Sequence, residues 1–189
     1  MNFSARDIAK ALKGIAVQYK AITVGGILLN TSIYPNTSRE DMLSILKEVF
    51  PDENLLKAIQ ILYPTIIEVS AAIPWNDIGI FIEADESVQV EYLSGNWMIN
   101  PQWGICGPEG NPKFIAKRFY LLPGAPEGCL VGKVGENSDT IIKIGRAAMI
   151  PQSEGYLYLG ANDDEEALYG AGYRDNHGAI QVVVKKCLR

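Results

Sequence analysis

Hydrophobic positions recur at helical spacing up to about residue 64 and at alternate positions over much of the chain beyond it. Ser4 with Asp7 has the form of a capping box, and Ile8, Leu12, Ile15, Ala16 and Tyr19 follow on one helical face. Gly25-Gly26 is expected to end or interrupt that helix. Ser38 with Asp41 opens another, with Met42, Ile45, Leu46 and Val49 as its apolar stripe and Pro51 just past its end. Asp52 then caps a short third helix carrying Leu55, Leu56, Ile59 and Leu62, stopped before Pro64.

From about Thr65 the period becomes two. Val88, Val90 and Tyr92 alternate with Gln89 and Glu91, Leu157 and Leu159 with Tyr156 and Tyr158, and Ile180, Val182 and Val184 with smaller or polar neighbours. Further strands are predicted at Ile66 to Ile73, Gly79 to Glu83, Phe114 to Leu122, Leu130 to Val134 and Thr140 to Ile144, separated by Pro-, Gly- and Asn-rich turn clusters. Eight or so short strands in this spacing predict an antiparallel sandwich or jelly roll. The expected architecture is α+β: a helical module over residues 1–64, then an antiparallel jelly-roll β-sandwich over residues 65–189. The amphipathic helices must bury their stripes on each other, on the sandwich or on a partner chain. A homo-oligomer or a larger assembly through these helices is therefore one of the expected partners.

Composition acts mainly by exclusion. At 189 residues the chain can hold one good core, or one domain with a smaller appendage. A net charge of -5, with the basic residues clustered only at Lys185, Lys186 and Arg189, argues against a nucleic-acid partner. Cys106, Cys129 and Cys187 form no metal-ligand spacing and no even disulfide framework. The N-terminus lacks the charged-then-apolar form of a signal peptide, and the run Ala21 to Leu29 is too short to span a bilayer. A soluble protein without membrane insertion is expected, with its compartment open.

Catalytic signatures are missing. There is no G-x-S-x-G, no H-E-x-x-H, no phosphate-cradling loop and no dinucleotide fingerprint, and the one histidine, His177, lies inside an acidic loop. A non-catalytic protein is expected. That loop carries Asn162, Asp163 and Asp164 at one end and Asp175 and Asn176 at the other, between two strand-like runs. A hairpin neck can bring these oxygens to one point suited to a hard cation such as Ca²⁺, although the order of an EF-hand is absent. Residue pattern alone leaves a metal site and a solvated acidic hairpin tip both open.

The order Gly128-Cys-Leu-Val-Gly-Lys-Val-Gly135, Tyr156 to Ala161, Asn162-Asp163 and Asp175-Asn176-His177-Gly178 resembles the galactophilic bacterial lectin family typified by the PA-I lectin. Pro74-Trp75-Asn76-Asp77-Ile78-Gly79, Ser94-Gly95-Asn96-Trp97 and Gly107-Pro108-Glu109-Gly110 extend the similarity over about Ile73 to Val184. The resemblance implies a jelly-roll lectin in which a bound Ca²⁺ coordinates sugar hydroxyls. It makes Asp163, Asp175 and Asn176 the side-chain ligands, with backbone carbonyls from the loop between them and from near Asn100. Asp163 and Asp175 would also meet the sugar, and Trp97, Trp103 or Tyr173 would offer it an apolar face. Trp75 is expected in the core. The His-and-Gln pair that grips galactose in the typified lectin has no counterpart in Asn111 to Leu122, so galactose itself is not implied. The rival expectation is a structural or interaction protein whose sandwich holds a structural calcium, or no metal, and binds no sugar.

Overall fold

The structure, a computed structural model, describes residues 4–15, 20–30, 34, 36–51, 55, 62–151 and 153–188. The chain divides into two compact units, Met1–Pro64 and Thr65–Arg189.

In the first unit, helices α1 (Ala5–Ile15), α2 (Ala21–Asn30) and α3 (Arg39–Val49) surround a core that includes Ala9, Val24, Leu28, Met42, Leu46 and Phe50. The two serine caps form as local chemistry dictates. Asp7 N donates to Ser4 Oγ at 3.2 Å and Ser4 N donates back to Asp7 Oδ2 at 3.2 Å, while Asp41 N donates to Ser38 Oγ at 3.1 Å. Gly25-Gly26 does not end a helix: α2 runs through both. A Cβ on Gly25 would lie 2.5 Å from Leu62 Cδ1, so the missing side chain makes room for packing that outweighs glycine's poor helix propensity. Ala16, Tyr19, Asp52, Leu56 and Ile59 lie outside the described residues. Among the described residues no helix is long and apolar enough to cross a membrane.

The second unit is an antiparallel β-sandwich. One sheet has the order β1 (Thr65–Ser70), β10 (His177–Leu188), β3 (Glu86–Asn100), β4 (Gly104–Cys106), with β8 (Ala147–Ile150) also pairing β3. The other runs β2 (Asn76–Ile82), β9 (Gly155–Ala161), β6 (Pro126–Val134), β5 (Glu109–Ile115), with β7 (Ile142–Lys143) pairing β6. Side chains from both sheets, among them Val69, Val90, Trp97 and Val182 from the first and Ile82, Leu130, Leu157 and Leu159 from the second, meet in one buried core.

Two departures from simple alternation shape the site. On β3, Tyr92 pairs with Val182 and Ser94 with the adjacent Gln181, so Leu93 is an extra residue in the ladder. Buried positions are even-numbered before it (Val88, Val90) and odd-numbered after it (Trp97, Ile99). Of the segment Phe114 to Leu122, only Phe114 and Ile115 are strand. β5 ends at Ile115, and Ala116 and Ala125 close a loop by a backbone hydrogen bond of 2.8 Å. Leu122 spends its N–H and C=O on the Asn162 side chain instead of on a strand partner.

Candidate functional site

The end of β9 is laced to the loop before β6 by one buried amide. Asn162 accepts from Leu122 N at 2.8 Å and donates from Nδ2 to Leu122 O and Pro126 O at 3.0 and 3.1 Å. Its own backbone joins β6 through Cys129 O and Gly128 N. Gly128, at φ 73°, lets the strands of the opposite sheet come close: a Cβ there would lie 2.9 Å from Ile99 Cγ1. Together these contacts bring Asp163, Tyr120, Glu127, Ile99 and Asn100 around one cavity.

That cavity, of about 340 Å³, is completed by Pro101, Gln102, Asp164, Tyr169, Asp175 and Gly170 to Gly172. Asp163, Asp164 and Glu127 are buried and Asp175 is half-buried. Among the described residues no Lys or Arg lines it; Lys117, 5.0 Å from the Tyr169 ring, stands outside the lining. Asp164 has a local role, its carboxylate accepting from Glu166 N at 3.1 Å and Tyr169 N at 2.6 Å to hold the loop. Asp163 accepts from Asp164 N at 2.7 Å and Asn176 Nδ2 at 2.9 Å. Burial raises the Asp163 carboxyl above its usual range against those hydrogen bonds, and the charges of Asp175 and Asp164 raise it further.

Of the residues singled out from sequence, Asp163, Asp175 and Asn100 line this cavity. Asn176 sits beside Asp163, also donating to Ala71 O at 3.1 Å, and its Oδ1 is buried with no hydrogen-bond partner. Asn100 caps its own turn, Oδ1 accepting from Gln102 N at 2.9 Å and its carbonyl from Trp103 N at 3.0 Å. Trp97 does not offer a ring face: the bulge at Leu93 turns it into the core, where it is 1% exposed and donates to Gly128 O at 2.9 Å. Tyr173 is likewise outside the lining, packed on Leu121, Cys129 and Val131 with its hydroxyl donating to Ala161 O at 2.6 Å. Trp103 is half exposed, on a neighbouring cavity. Trp75 packs on the Leu121–Cys129–Val131 cluster, half-buried, with Lys133 over its ring.

Sequence reasoning missed Glu127, Tyr120 and Tyr169. Tyr120 donates its hydroxyl to Glu127 Oε1 at 3.0 Å, whereas Glu127 Oε2 is buried without a hydrogen-bond partner. Burial pushes the Glu127 carboxyl up; the Tyr120 hydroxyl and the nearby Asn100 side chain act the other way, and the charges of Asp163 and Asp175 add to the rise. A signal was present, since a lone acid at the head of the apolar run Cys129 to Val131 must find a partner or a ligand.

Among the described residues no group of three or more His, Cys, Asp and Glu side chains is arranged to hold a metal ion by itself. A cation here would draw part of its shell from amide and backbone oxygens, which Asn176 Oδ1 fits. No family model and no curated protein matches the chain. A solved structure described as the EclA N-terminal domain, a PllA-like lectin, is similar to it, with 18% identity, a TM-score of 0.47, and 65% of this chain and 95% of that one covered. No residue correspondence and no activity follow from a likeness of that degree.

Proposed function

We propose that residues 65–189 form a non-catalytic, calcium-dependent carbohydrate-binding domain of jelly-roll type, with the helical unit serving assembly or docking. One observation carries the reading. Four carboxylates, three of them buried, surround a cavity that no base among the described residues lines, next to a buried amide oxygen that has no partner. Burying like charges together is costly, and a divalent cation offsets that cost in the smallest volume. The available donors are all hard oxygens, the set calcium takes.

Asp163, Asp175 and Asn176 would hold the ion, with a backbone carbonyl from the loop between Asp163 and Asp175 and another near Asn100. When bound, Ca²⁺ supplies coordination positions at which sugar hydroxyls replace water. The chain's own residues do the rest. Asn162 fixes Asp163 to β6, Asp164 holds the loop carrying Tyr169, and Asn176 ties the return strand to the end of β1. Gln102, Tyr169 and Asn100 present polar groups around the opening.

Calorimetric titration with CaCl₂ should show binding that Asp175→Ala weakens by about 100-fold, because ligand charge sets calcium affinity. A glycan array should then show retention that chelation abolishes. Unchanged calcium binding in Asp175→Ala would sink the metal site. Tight calcium binding with no glycan retained would leave a structural ion and overturn the sugar half of the proposal.

A further inference from the structure

A second cavity, of about 240 Å³, opens beside the first and shares Ile99, Asn100 and Glu127 with it as a common wall. The remainder of its lining includes Trp103, Asn111 and Pro112. Trp103 is 51% exposed, and its ring stands 6.2 Å from Phe114, which in turn is 6.1 Å from Tyr120. Tyr120 stacks on Tyr169 at 6.2 Å, so an aromatic row runs from the second cavity to the rim of the first. At the junction Glu127 turns one oxygen to Tyr120 and keeps the other buried and unpartnered. A buried acceptor with an open lone pair is costly unless something donates to it, and the dividing wall is where a ligand spanning both cavities would pass.

The geometry points to a ligand of at least two sugar rings, one in each cavity, with the second ring against Trp103 and a hydroxyl near the linkage donating to Glu127 Oε2. This rests on the sugar reading of the first cavity. It adds the length of the glycan and names two residues outside the calcium set. Sugar rings present a polar edge and an apolar face. The second cavity answers both, with the Trp103 ring for the face and the Asn100 and Asn111 amides for the edge. The two cavities together fall within the roughly 300–1,000 Å³ of small-ligand clefts, and the first alone is at the low end of that range.

The test uses the full chain with saturating CaCl₂ and an array carrying mono-, di- and trisaccharides on one spacer. The best oligosaccharide and the methyl glycoside of its terminal residue are then titrated. The oligosaccharide should bind at least tenfold tighter. Trp103→Ala should remove that advantage while leaving the methyl glycoside within twofold and calcium affinity unchanged, which also reports an intact fold. Glu127→Gln, which keeps the shape and an acceptor for Tyr120 but removes one of the four carboxylates, should lower calcium affinity and, with CaCl₂ still saturating, weaken the oligosaccharide severalfold more than the methyl glycoside. Equal affinity for the two sugars, or a Trp103→Ala loss that is the same for both, overturns the two-ring ligand and leaves the first-cavity sugar standing. Calcium binding with no glycan retained overturns both.

Discussion

At the start of β3 the carboxylate of Glu86 is fully buried, and Lys186 Nζ, from the paired end of β10, meets its Oε2 at 2.9 Å. Glu83 N donates to the same oxygen at 3.0 Å. At the opposite end of the same two strands, β3 closes on Asn100 and β10 begins just after Asp175 and Asn176. There Asp163, Asp164 and Glu127 are buried as well, and no base among the described residues lines their cavity. The sandwich admits a buried lysine at one end of this strand pair, so its architecture does not impose the lack of one at the other. Where buried charge only holds the fold, the chain provides the counter-ion. Around the acidic cavity, the described residues provide none in its lining.

Lys186→Met tests the first half of that contrast and should have the largest effect. It takes away the cation that meets Glu86 Oε2, and breaking a buried pair in this way costs about 3–5 kcal/mol. The urea midpoint of the sandwich should fall accordingly, and calcium should not restore it, since the loss is at the other end of the strands. A variant as stable as the wild type would mean that the lysine does not neutralise Glu86, and the contrast would collapse.

Asn162→Ala attacks the second half. Three hydrogen bonds of a buried amide disappear: the Leu122 N–H loses its acceptor, the Leu122 carbonyl keeps only the 3.3 Å bond from Ala125 N, and the Pro126 carbonyl loses the amide's donor. A loss of about 2–3 kcal/mol is expected. Here stability and calcium affinity should fall together, because the amide that supports the loop also places Asp163. Calorimetry on the folded variant at low temperature separates the two, and undiminished calcium affinity would show that Asp163 is positioned by something else.

What was legible in the sequence follows the range of the interactions. The serine caps at Ser4 and Ser38 are contacts between residues three apart, and both could be read directly. Alternation marked the strands around Val88, Leu157 and Ile180, whose inward faces are buried. The bulge at Leu93 changes no composition and shows only in the pairing with β10, which is why Trp97 looked available to a ligand. β6 is buried on both faces, so Cys129 and Val131 carry no alternation to set its start. Asp163 and Asp175-Asn176 stood out because one loop carries them all. Glu127 and Tyr120 reach the same cavity from another strand and loop, through the Asn162 clamp, and no local pattern records that.

The smallest expected effect is in the sign of a pH dependence, measured without calcium. Burial raises Glu127 above its ordinary 4.5, so the folded chain keeps that proton to higher pH than the unfolded one does. Its contribution to stability is therefore fully present below 4.5 and lost as pH rises through the raised value. Glu48, exposed on α3, shows the reverse: a hydrogen bond from Lys10, with Arg6 nearby, lowers its carboxyl, and its contribution is present above 4.5 and lost as pH falls through the lowered value. Glu127→Gln removes the titration and keeps the acceptor for Tyr120. The wild-type minus variant urea midpoint should thus decline as pH rises above 4.5 for Glu127 and not for Glu48→Gln. Two flat or parallel differences would mean that Glu127 finds a compensating charge within the chain, and an acidic cavity so compensated would have no need of a cation from solution.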